Sequence, residues 1–241
     1  MIHPAPSRKI ANRSFIAIIY LAAFTFCQLL ILPGWAQTGT TTNTQSAPRK
    51  TSKPYTGDLS IFEEKGRDKK LQVERVMDIL GIKKGTHVAD IGAGSGWFAV
   101  RAATRVGNTG IVYAVDINPE SIAYINRRTQ RDGIGNVHTI LSNEDDPKLP
   151  QSSVDSVLLL KTYHEVAHPA LLLENLRRSL RDGAKIGIID RNGKGDDHGV
   201  SRDVVIKEAT QAGYRLQEQY DFVKGDGQDY FLVFRSTSAP K

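Results

Sequence analysis

The sequence predicts an α/β fold in which a mostly parallel sheet carries helices on both faces. Short apolar segments rich in β-branched residues alternate along the chain with segments whose apolar residues recur at helical spacing. The strand-like segments are apolar on both faces, which is typical of a buried parallel sheet. Residues 214–222 and 229–234 alternate around a glycine-containing turn, which predicts a closing hairpin and an antiparallel element at one edge.

The first helix is predicted from spacing. Val73, Val76, Met77 and Leu80 fall at i, i+3, i+4 and i+7, and Gly81 ends the pattern. Further helices are predicted over 97–106, 119–132, 169–182 and 201–212, and strands over 86–91, 111–117, 137–141, 154–161 and 184–190.

Two helix boundaries carry specific predictions. Asn118 is a natural N-cap, and Pro119 suits the first helical position. The helix that begins at Pro169 is predicted to carry Leu180 on its inner face and to end at Gly183.

The first 36 residues are predicted to be a signal peptide or a membrane anchor. Basic residues precede an uncharged apolar run over 15–32, which Pro33 ends. The run approaches the ~20 residues that span a bilayer, so an anchor is the alternative, although the small residues Gly34 and Ala36 favour cleavage. The leader predicts an exported (periplasmic) or membrane-tethered protein.

The rest of the chain divides into a linker and one domain. Residues 37–54 are rich in Thr, Ser, Gln, Pro and Lys and contain almost nothing apolar, which predicts a disordered linker. Residues 55–241 have the length of a single domain.

The charge pattern argues against a nucleic-acid partner. The net charge is +6, but the leader holds three basic residues and no acidic ones, which leaves 29 basic against 26 acidic residues, or +3. These charges are dispersed, and the mixed run 63–70 is typical of a solvated surface. The only cysteine, Cys27, lies in the leader, so the predicted domain has no disulfide, thiolate nucleophile or cysteine metal site.

A glycine loop, Asp90-Ile91-Gly92-Ala93-Gly94-Ser95-Gly96, follows the first predicted strand. Glycines allow backbone amides to approach a ligand without a Cβ in the way. A dinucleotide fingerprint places its third glycine one residue later, where this chain has Trp97. The loop therefore favours a ligand without a pyrophosphate, and an ordinary strand–helix turn is the simpler alternative.

The second predicted strand ends in an acid, Asp116, about 20 residues beyond the loop. A carboxylate in that place can accept hydrogen bonds from both ribose hydroxyls of a nucleoside. An acid at a helix N-terminus is the alternative, but Asn118 already supplies that cap.

With these signals the chain resembles the class I S-adenosylmethionine-dependent methyltransferases. Residues 88–96 match the family's first motif and residues 112–116 its ribose-binding motif. Residues 149–157 resemble the loop and fourth strand, and residues 180–190 the turn and fifth strand. The resemblance implies S-adenosylmethionine as cofactor and a Rossmann-like, seven-stranded sheet, mostly parallel with an antiparallel last strand.

The resemblance also implies where the cofactor binds. Eight residues are assigned to it: Asp90, Gly92, Ala93, Gly94, Asp116, Ile117, Asn143 and Glu144. The glycine loop is assigned to the methionine moiety and Asp116 to the ribose. The adenine is assigned to Asn143, Glu144 or Asp145, and the crowded polar run leaves that choice open.

Candidate catalytic residues follow the fourth predicted strand, which faces the methyl group in this family. His164 is the candidate general base, Glu165 the residue that orients it, and Tyr163 a candidate for the substrate wall. A loop without a catalytic role is the alternative. The run Asp196-Asp197-His198 resembles metal ligands only superficially, and no metal site is predicted.

The predicted function is transfer of a methyl group from S-adenosylmethionine to a small-molecule acceptor by in-line displacement. The alternatives are a non-catalytic nucleoside-binding module of the same fold and, with less support, an NAD-dependent oxidoreductase. Membrane association through the N-terminal segment is a further expectation, and no oligomeric state is predicted. The predicted export conflicts with the cytosolic synthesis of S-adenosylmethionine.

Overall fold

A computed structural model describes residues 48–194 and 197–237. The predicted leader and the first part of the predicted linker lie outside the described residues. Among the helices that are described, none combines the length and the apolar character needed to cross a bilayer.

Seven strands form one sheet in the described residues. They are β1 (His87–Ile91), β2 (Ile111–Asp116), β3 (Val137–Leu141), β4 (Val154–Leu160), β5 (Leu180–Arg191), β6 (Tyr214–Tyr220) and β7 (Asp229–Ser236), in the spatial order β3-β2-β1-β4-β5-β7-β6. All neighbouring pairs from β3 to β5 are parallel, whereas β7 is antiparallel to both β5 and β6. The prediction of a mostly parallel sheet with an antiparallel last strand is confirmed.

Helices cover both faces of this sheet. They are α1 (Arg67–Leu71), α2 (Val73–Leu80), α3 (Trp97–Val106), α4 (Pro119–Arg131), α5 (Pro169–Arg177) and α6 (Arg202–Gln211), and 3₁₀ turns cover Leu59–Glu63, Gly107–Thr109 and Tyr163–Glu165. The apolar residues of α2, α3 and α4 pack in one core cluster, and those of α5 and α6 pack in a second cluster on the other face. The strands contribute alternate residues to the two clusters, as the period of two requires.

The predicted helix boundaries hold where a local signal fixes them. Helix α2 spans the predicted residues, with Gly81 in the left-handed region at its end. Helix α4 begins at Pro119, and the side chain of Asn118 accepts a hydrogen bond from the backbone N–H of Glu120 at 2.9 Å. This side-chain cap satisfies one of the four N–H groups that a helix start leaves unpaired.

The prediction for Leu180 is wrong. Helix α5 ends at Arg177, and Leu180 begins β5, where it pairs with Val154 of β4. The carbonyl of Ser179 accepts the backbone N–H of Val154 at 3.0 Å, so the chain leaves the helix to complete the sheet. Leucines at helical spacing cannot reveal this change, because Leu180 is buried in either arrangement.

Two N-terminal segments differ from their sequence interpretation. Residues 48–54, which the composition assigns to a linker, contact the fold: the backbone N–H of Arg49 donates to the carbonyl of Ala167 at 2.9 Å, and Ser52 is buried. The charged run 63–70 is not only a solvated surface, because Glu63 pairs with Arg128 of α4 and accepts the Ser95 hydroxyl at 2.6 Å. The charges of this run therefore fasten it to the glycine loop.

Candidate active site

A cavity of about 910 Å³ opens at the carboxyl ends of β1, β2 and β4. The strand order reverses between β1 and β4, and ligands of open α/β sheets bind outside the strand ends at such a reversal. The glycine loop, the residues after β2 and β3, the turn after β4 and the segment before α1 all line the cavity.

The three glycines of the loop meet different structural requirements. Gly92, Gly94 and Gly96 all have positive φ, at 72°, 55° and 72°. A Cβ on Gly92 would lie 2.3 Å from the Thr162 side chain, and one on Gly96 would lie 3.0 Å from Ile125. A Cβ on Gly94 would only enter the space beside Phe62, at 3.6 Å. Gly94 therefore keeps the cavity open, while Gly92 and Gly96 allow close packing.

Asp90 lies in the cavity as a buried carboxylate with an unpaired oxygen. It is 2% exposed, and its Oδ2 atom has no hydrogen-bond partner. Burial raises the pKa of Asp90 to about 7, although the nearby guanidinium of Arg67 acts against this rise. A cation or a hydrogen-bond donor bound here would satisfy Oδ2 and favour the charged carboxylate.

Asp116 ends β2 and holds the glycine loop. Its Oδ2 accepts the backbone N–H of Gly94 at 2.8 Å, and its Oδ1 accepts that of Asn118 at 2.9 Å. Burial raises the pKa of Asp116, and these backbone hydrogen bonds act against the rise. Each carboxylate oxygen can accept a further bond, so the pair suits two adjacent hydroxyls. Ile117, 39% exposed, lines the cavity next to it.

The structure narrows the choice of adenine-side residues. Asn143 and Glu144 both line the cavity and are exposed there. Asp145 does not line it, and its carbonyl accepts the side chain of Asn175 at 2.8 Å. Asp146 turns to the backbone N–H of Lys148, at 2.9 Å. Asn143 and Glu144 are therefore the two members of this polar run that can reach a ligand.

His164 lies buried at the cavity wall, and Asp190 of β5 holds it. Its Nδ1 is 2.9 Å from Asp190 Oδ1, and its backbone N–H donates to Asp190 Oδ2 at 2.9 Å. Because two carboxylate oxygens face Nδ1, the proton of the neutral ring belongs on Nδ1, which leaves the lone pair of Nε2 free. This is the geometry of a positioned general base.

Glu165 is not the residue that orients His164. Its Oε1 lies 3.8 Å from Nε2, on the opposite side of the ring from Asp190. Burial raises the pKa of Glu165 to about 7, while His164 lowers it. Glu165 lines the cavity beside Nε2, so it is a second group that can exchange a proton there near neutral pH.

Tyr163 is not brought to the cavity. Its side chain is fully buried, and its hydroxyl donates to Glu208 Oε2 of α6 at 2.9 Å. Burial raises the pKa of Tyr163 well above its ordinary value. Because its hydroxyl is bound to α6, Tyr163 does not line the cavity, whereas His164 and Glu165 of the same 3₁₀ turn do.

Several residues of the site were not singled out as such from sequence. Asp190 ends the segment that the sequence identifies as the fifth strand, and no local signal indicates its hydrogen bonds to His164. His198 lines the cavity with its ring 5.9 Å from that of His164. Arg67, from the charged run 63–70, and Tyr55 and Phe62, from the start of the predicted domain, also line the cavity.

Comparison with known families assigns the chain to a protein family. A sequence profile described as "Methyltransferase domain" matches residues 82–220, more than half of the chain. The chain belongs to this family. It is a member of the class I S-adenosylmethionine-dependent methyltransferases, whose cofactor is S-adenosylmethionine, as its motifs and fold indicated.

Individual relatives agree on the family and differ in their acceptors. A protein-L-isoaspartate O-methyltransferase of Pyrococcus horikoshii is 32% identical over 102 residues, which cover 42% of this chain and 44% of that protein. The ubiquinone/menaquinone biosynthesis C-methyltransferase UbiE of Hydrogenovibrio crunogenus is 28% identical over 122 residues, 50% of this chain and 48% of that protein. The chain thus spans about half the length of these curated relatives or less.

A solved structure shows the same architecture. A SAM-dependent methyltransferase from Aquifex aeolicus superposes with a TM-score of 0.67 and 26% identity, over 74% of this chain and 98% of that one. The fold is therefore shared almost throughout that protein.

The residues of the cavity fit S-adenosylmethionine. The unpaired oxygen of Asp90 suits the ammonium of the methionine moiety, and Arg67, which lines the same end, suits its carboxylate. The space that a Cβ on Gly94 would enter is left open. Asp116 offers two acceptors for the ribose hydroxyls, and Asn143 and Glu144 offer polar groups for the adenine.

Proposed function

We propose that the protein transfers a methyl group from S-adenosylmethionine to a neutral, largely apolar small molecule whose nucleophilic atom must lose a proton. The observation that carries this proposal is a single cavity that contains both the cofactor residues Asp90 and Asp116 and the paired His164 and Asp190. Its volume is near the upper end of the ~300–1,000 Å³ of small-molecule sites, which suits a cofactor and an acceptor together.

Most of the catalytic effect is expected from positioning. Bound S-adenosylmethionine supplies an electrophilic methyl group that is displaced from a sulfonium sulfur in line. Holding an acceptor in a near-attack geometry lowers a barrier by as much as ~7–11 kcal/mol. Asp116 and the glycine loop would hold the cofactor in that geometry, and the walls of the cavity would hold the acceptor.

His164 adds a base for acceptors that carry a proton on the attacking group. Nε2 takes the proton from the acceptor. The Nδ1 proton stays on the ring, hydrogen-bonded to Asp190, whose carboxylate stabilises the imidazolium that forms. A positioned base of this kind contributes about 10²- to 10⁴-fold. The proton leaves the cavity afterwards through Glu165, whose carboxyl lies next to Nε2.

The same residues disfavour an ionised acceptor. A carboxylate, with a pKa near 4, has already lost its proton at neutral pH and needs no base. It would also face the carboxyl groups of Asp116 and Glu165 in the cavity. A phenol or hydroquinone, with a pKa of about 10, needs the base and meets an apolar wall that includes Pro54, Val166 and Leu172. The relatives include both a quinone-pathway C-methyltransferase and an isoaspartate O-methyltransferase, so the choice of this class rests on the cavity.

Calorimetry on the full chain tests the cofactor half of the proposal. We expect S-adenosylhomocysteine to bind and NAD not to bind. Asp116→Ala should weaken the binding of S-adenosylhomocysteine by more than about tenfold, because hydrogen bonds to a charged group contribute ~1.5–3 kcal/mol. Asp145→Ala, which changes an acid of the neighbouring loop outside the cavity, is the matched control. Undiminished affinity in Asp116→Ala would remove the ribose assignment.

Transfer of a tritiated methyl group tests the acceptor half. The panel contains alkylated phenols and hydroquinones, an isoaspartyl peptide, simple carboxylates and amines. We expect product from the first group only. Product from carboxylates alone would overturn the proposed acceptor class, and cofactor binding without any product would favour a non-catalytic binding module.

We also propose that the protein is exported or tethered to a membrane through its N-terminal segment. The apolar run and the small residues that follow it support this location. Fractionation of a full-length protein tagged at its C-terminus tests it. Recovery in the cytosol with an intact leader would contradict it and would also remove the problem of cofactor supply.

A further inference from the structure

Residues 49–57, which we call the strap, run along the cavity ahead of the residues that match the family. Six of them line the cavity: Thr51, Lys53, Pro54, Tyr55, Thr56 and Gly57. One wall of the cavity is therefore built partly by a segment that the family profile does not cover. The contacts that hold the strap in place decide the shape of that wall.

Arg49 makes the main contact between the strap and the site. Its guanidinium donates to the carbonyls of Tyr163 and Val166, the latter at 2.9 Å, and its backbone N–H donates to Ala167. Residues 162–166 form the turn that carries His164 and Glu165, and we call this segment the His164 turn. Arg49 thus binds the backbone of the His164 turn on both sides of its catalytic residues.

A partly buried carboxylate completes this contact. Glu208 of α6 accepts Arg49 Nη1 at 2.9 Å and the Tyr163 hydroxyl at 2.9 Å. The Arg49 side chain is 14% exposed and that of Glu208 is 19% exposed, so this ion pair is largely shielded from water. Removing one partner of a buried pair leaves the other charge and its acceptors unsatisfied.

A second contact reaches His164 from the other side. The hydroxyl of the buried Ser52 accepts the backbone N–H of His198 at 2.9 Å. The ring of His198 packs edge to face on that of His164, at 5.9 Å between centroids. The strap therefore touches the backbone of the His164 turn through Arg49 and the neighbour of the His164 ring through Ser52.

We propose that Arg49 is a positioning residue of the active site, which fixes the His164 turn for catalysis and fixes the strap as the acceptor wall. Arg49 itself does not line the cavity, so it acts through the residues that it holds. Its role in catalysis rests on the proposed function, whereas its role in ordering the turn does not.

Hydrogen exchange on the full chain, without cofactor or acceptor, tests the structural part. In Arg49→Ala, amide exchange within residues 162–166 should become at least about tenfold faster, because exchange reports local opening. In Arg49→Lys, which keeps the charge but loses the planar fork, the increase should be smaller. The lysine variant also serves if the alanine variant does not fold.

Arg177 offers a matched control away from the cavity. Its guanidinium donates to the carbonyl of Ala212 and lies 5.6 Å from the centre of the Tyr214 ring. Arg49 likewise donates to backbone carbonyls and lies 5.0 Å from the centre of the Tyr163 ring. Arg177→Ala should leave exchange in the His164 turn as in the unmodified protein. Equal exchange in this turn for the Arg49 and Arg177 variants would overturn the proposal, whatever the enzyme methylates.

Kinetics with an acceptor found in the tritium assay test the catalytic part. Arg49→Ala should lower kcat and raise the KM of the acceptor, by up to about 10²-fold together, since small misplacements of catalytic groups have effects of this size. The KM of S-adenosylmethionine should stay within about twofold. A similar increase in the KM of the acceptor and the KM of S-adenosylmethionine would indicate general destabilisation and would contradict a positioning role.

Discussion

The cofactor half and the acceptor half of the cavity are built in different ways. The cofactor half is built mainly from the glycine loop with Asp90 and from Asp116. These are two short stretches, and their shape depends on backbone dihedral angles and on a backbone hydrogen bond. The acceptor half consists of the strap, the His164 turn, Asp190 and His198, which are distant in sequence and held by side-chain hydrogen bonds.

The two halves also differ in how far their buried acids are satisfied. Asp90 has an oxygen without a partner, so its environment is completed only by a bound ligand. Asp190 accepts bonds from the backbone and ring of His164 and from the backbone N–H of Arg191, at 2.8–2.9 Å. The cofactor half should therefore respond to ligand, and the acceptor half to substitutions that break its internal network.

The largest effect is expected in the acceptor half. His164→Gln should lower turnover by about 10²- to 10⁴-fold, because it removes the base. Asp190→Asn should have a smaller effect in the same direction, because an amide no longer holds the proton on Nδ1. Steady-state kinetics with the acceptor measures both changes.

The comparison of halves predicts that these variants retain the cofactor. The affinity for S-adenosylhomocysteine, measured by calorimetry, should stay within about threefold in both variants, since neither side chain belongs to the cofactor half. If both variants lose cofactor affinity together with turnover, the two halves are not independent and the assignment of a base loses its support.

The next effect tests the backbone of the cofactor half. Gly92→Ala should weaken S-adenosylhomocysteine binding by about 10²-fold, because a Cβ would lie 2.3 Å from Thr162 at a φ of 72°. Gly133→Ala is the matched control, since Gly133 has a φ of 67° but no atom within 4 Å of the added Cβ. It should lose stability by about 1 kcal/mol and keep its affinity.

A recovery experiment sharpens this prediction. Thr162→Ala removes the two nearest atoms that a Cβ on Gly92 would meet. It should restore part of the affinity of Gly92→Ala. No recovery in the double variant would attribute the loss to the dihedral angle or to the remaining Cβ of residue 162, which lies 2.9 Å from the added atom.

A pH effect separates the unpaired acid of the cofactor half from the paired acid of the acceptor half. The pKa of Asp90 rises from 3.8 to about 7 on folding, so the folded state binds the proton more tightly than the unfolded chain. The contribution of Asp90 to the free energy of unfolding without ligand should therefore be largest below about pH 4 and fall by up to ~1.4 kcal/mol per unit towards pH 7. Asp90→Asn should remove this contribution, while those of Glu165 and Asp116, whose pKa values burial also raises, remain; it should also raise the Tm at pH 8.

The same substitution should weaken cofactor binding. An amide cannot form a charged pair with the ammonium of the methionine moiety, so we expect about a tenfold loss of affinity for S-adenosylhomocysteine. Thermal unfolding across pH 4–8 and calorimetry at pH 8 measure the two effects. A variant with lower stability and unchanged affinity at pH 8 would contradict the role assigned to Asp90.

The sequence revealed the cofactor half because its signals are local. The glycine spacing and the acid at the end of β2 each lie within a few residues, and the cap at Asn118 fixes the helix that follows. The acceptor half needs long-range pairing: 26 positions separate His164 from Asp190, and 114 separate Arg49 from Tyr163. Composition assigns residues 49–54 of the strap to a linker because Arg49 and Ser52 hold it by polar, long-range contacts and no run of apolar residues marks it.

Tyr163 shows the limit of sequence reasoning inside a motif, and it gives the smallest predicted effect. It is adjacent to His164 in sequence, yet its hydroxyl is bonded to Glu208 on the side away from the cavity. Tyr163→Phe should lower the free energy of unfolding by about 1 kcal/mol, the usual contribution of one hydrogen bond. It should change the kcat and the acceptor KM by less than about threefold, because the backbone carbonyl that Arg49 binds remains. A selective rise of the acceptor KM in this variant, with the Tm unchanged, would show that Tyr163 contacts the acceptor. It would contradict the assignment of Tyr163 to the hydrogen-bond network behind the cavity.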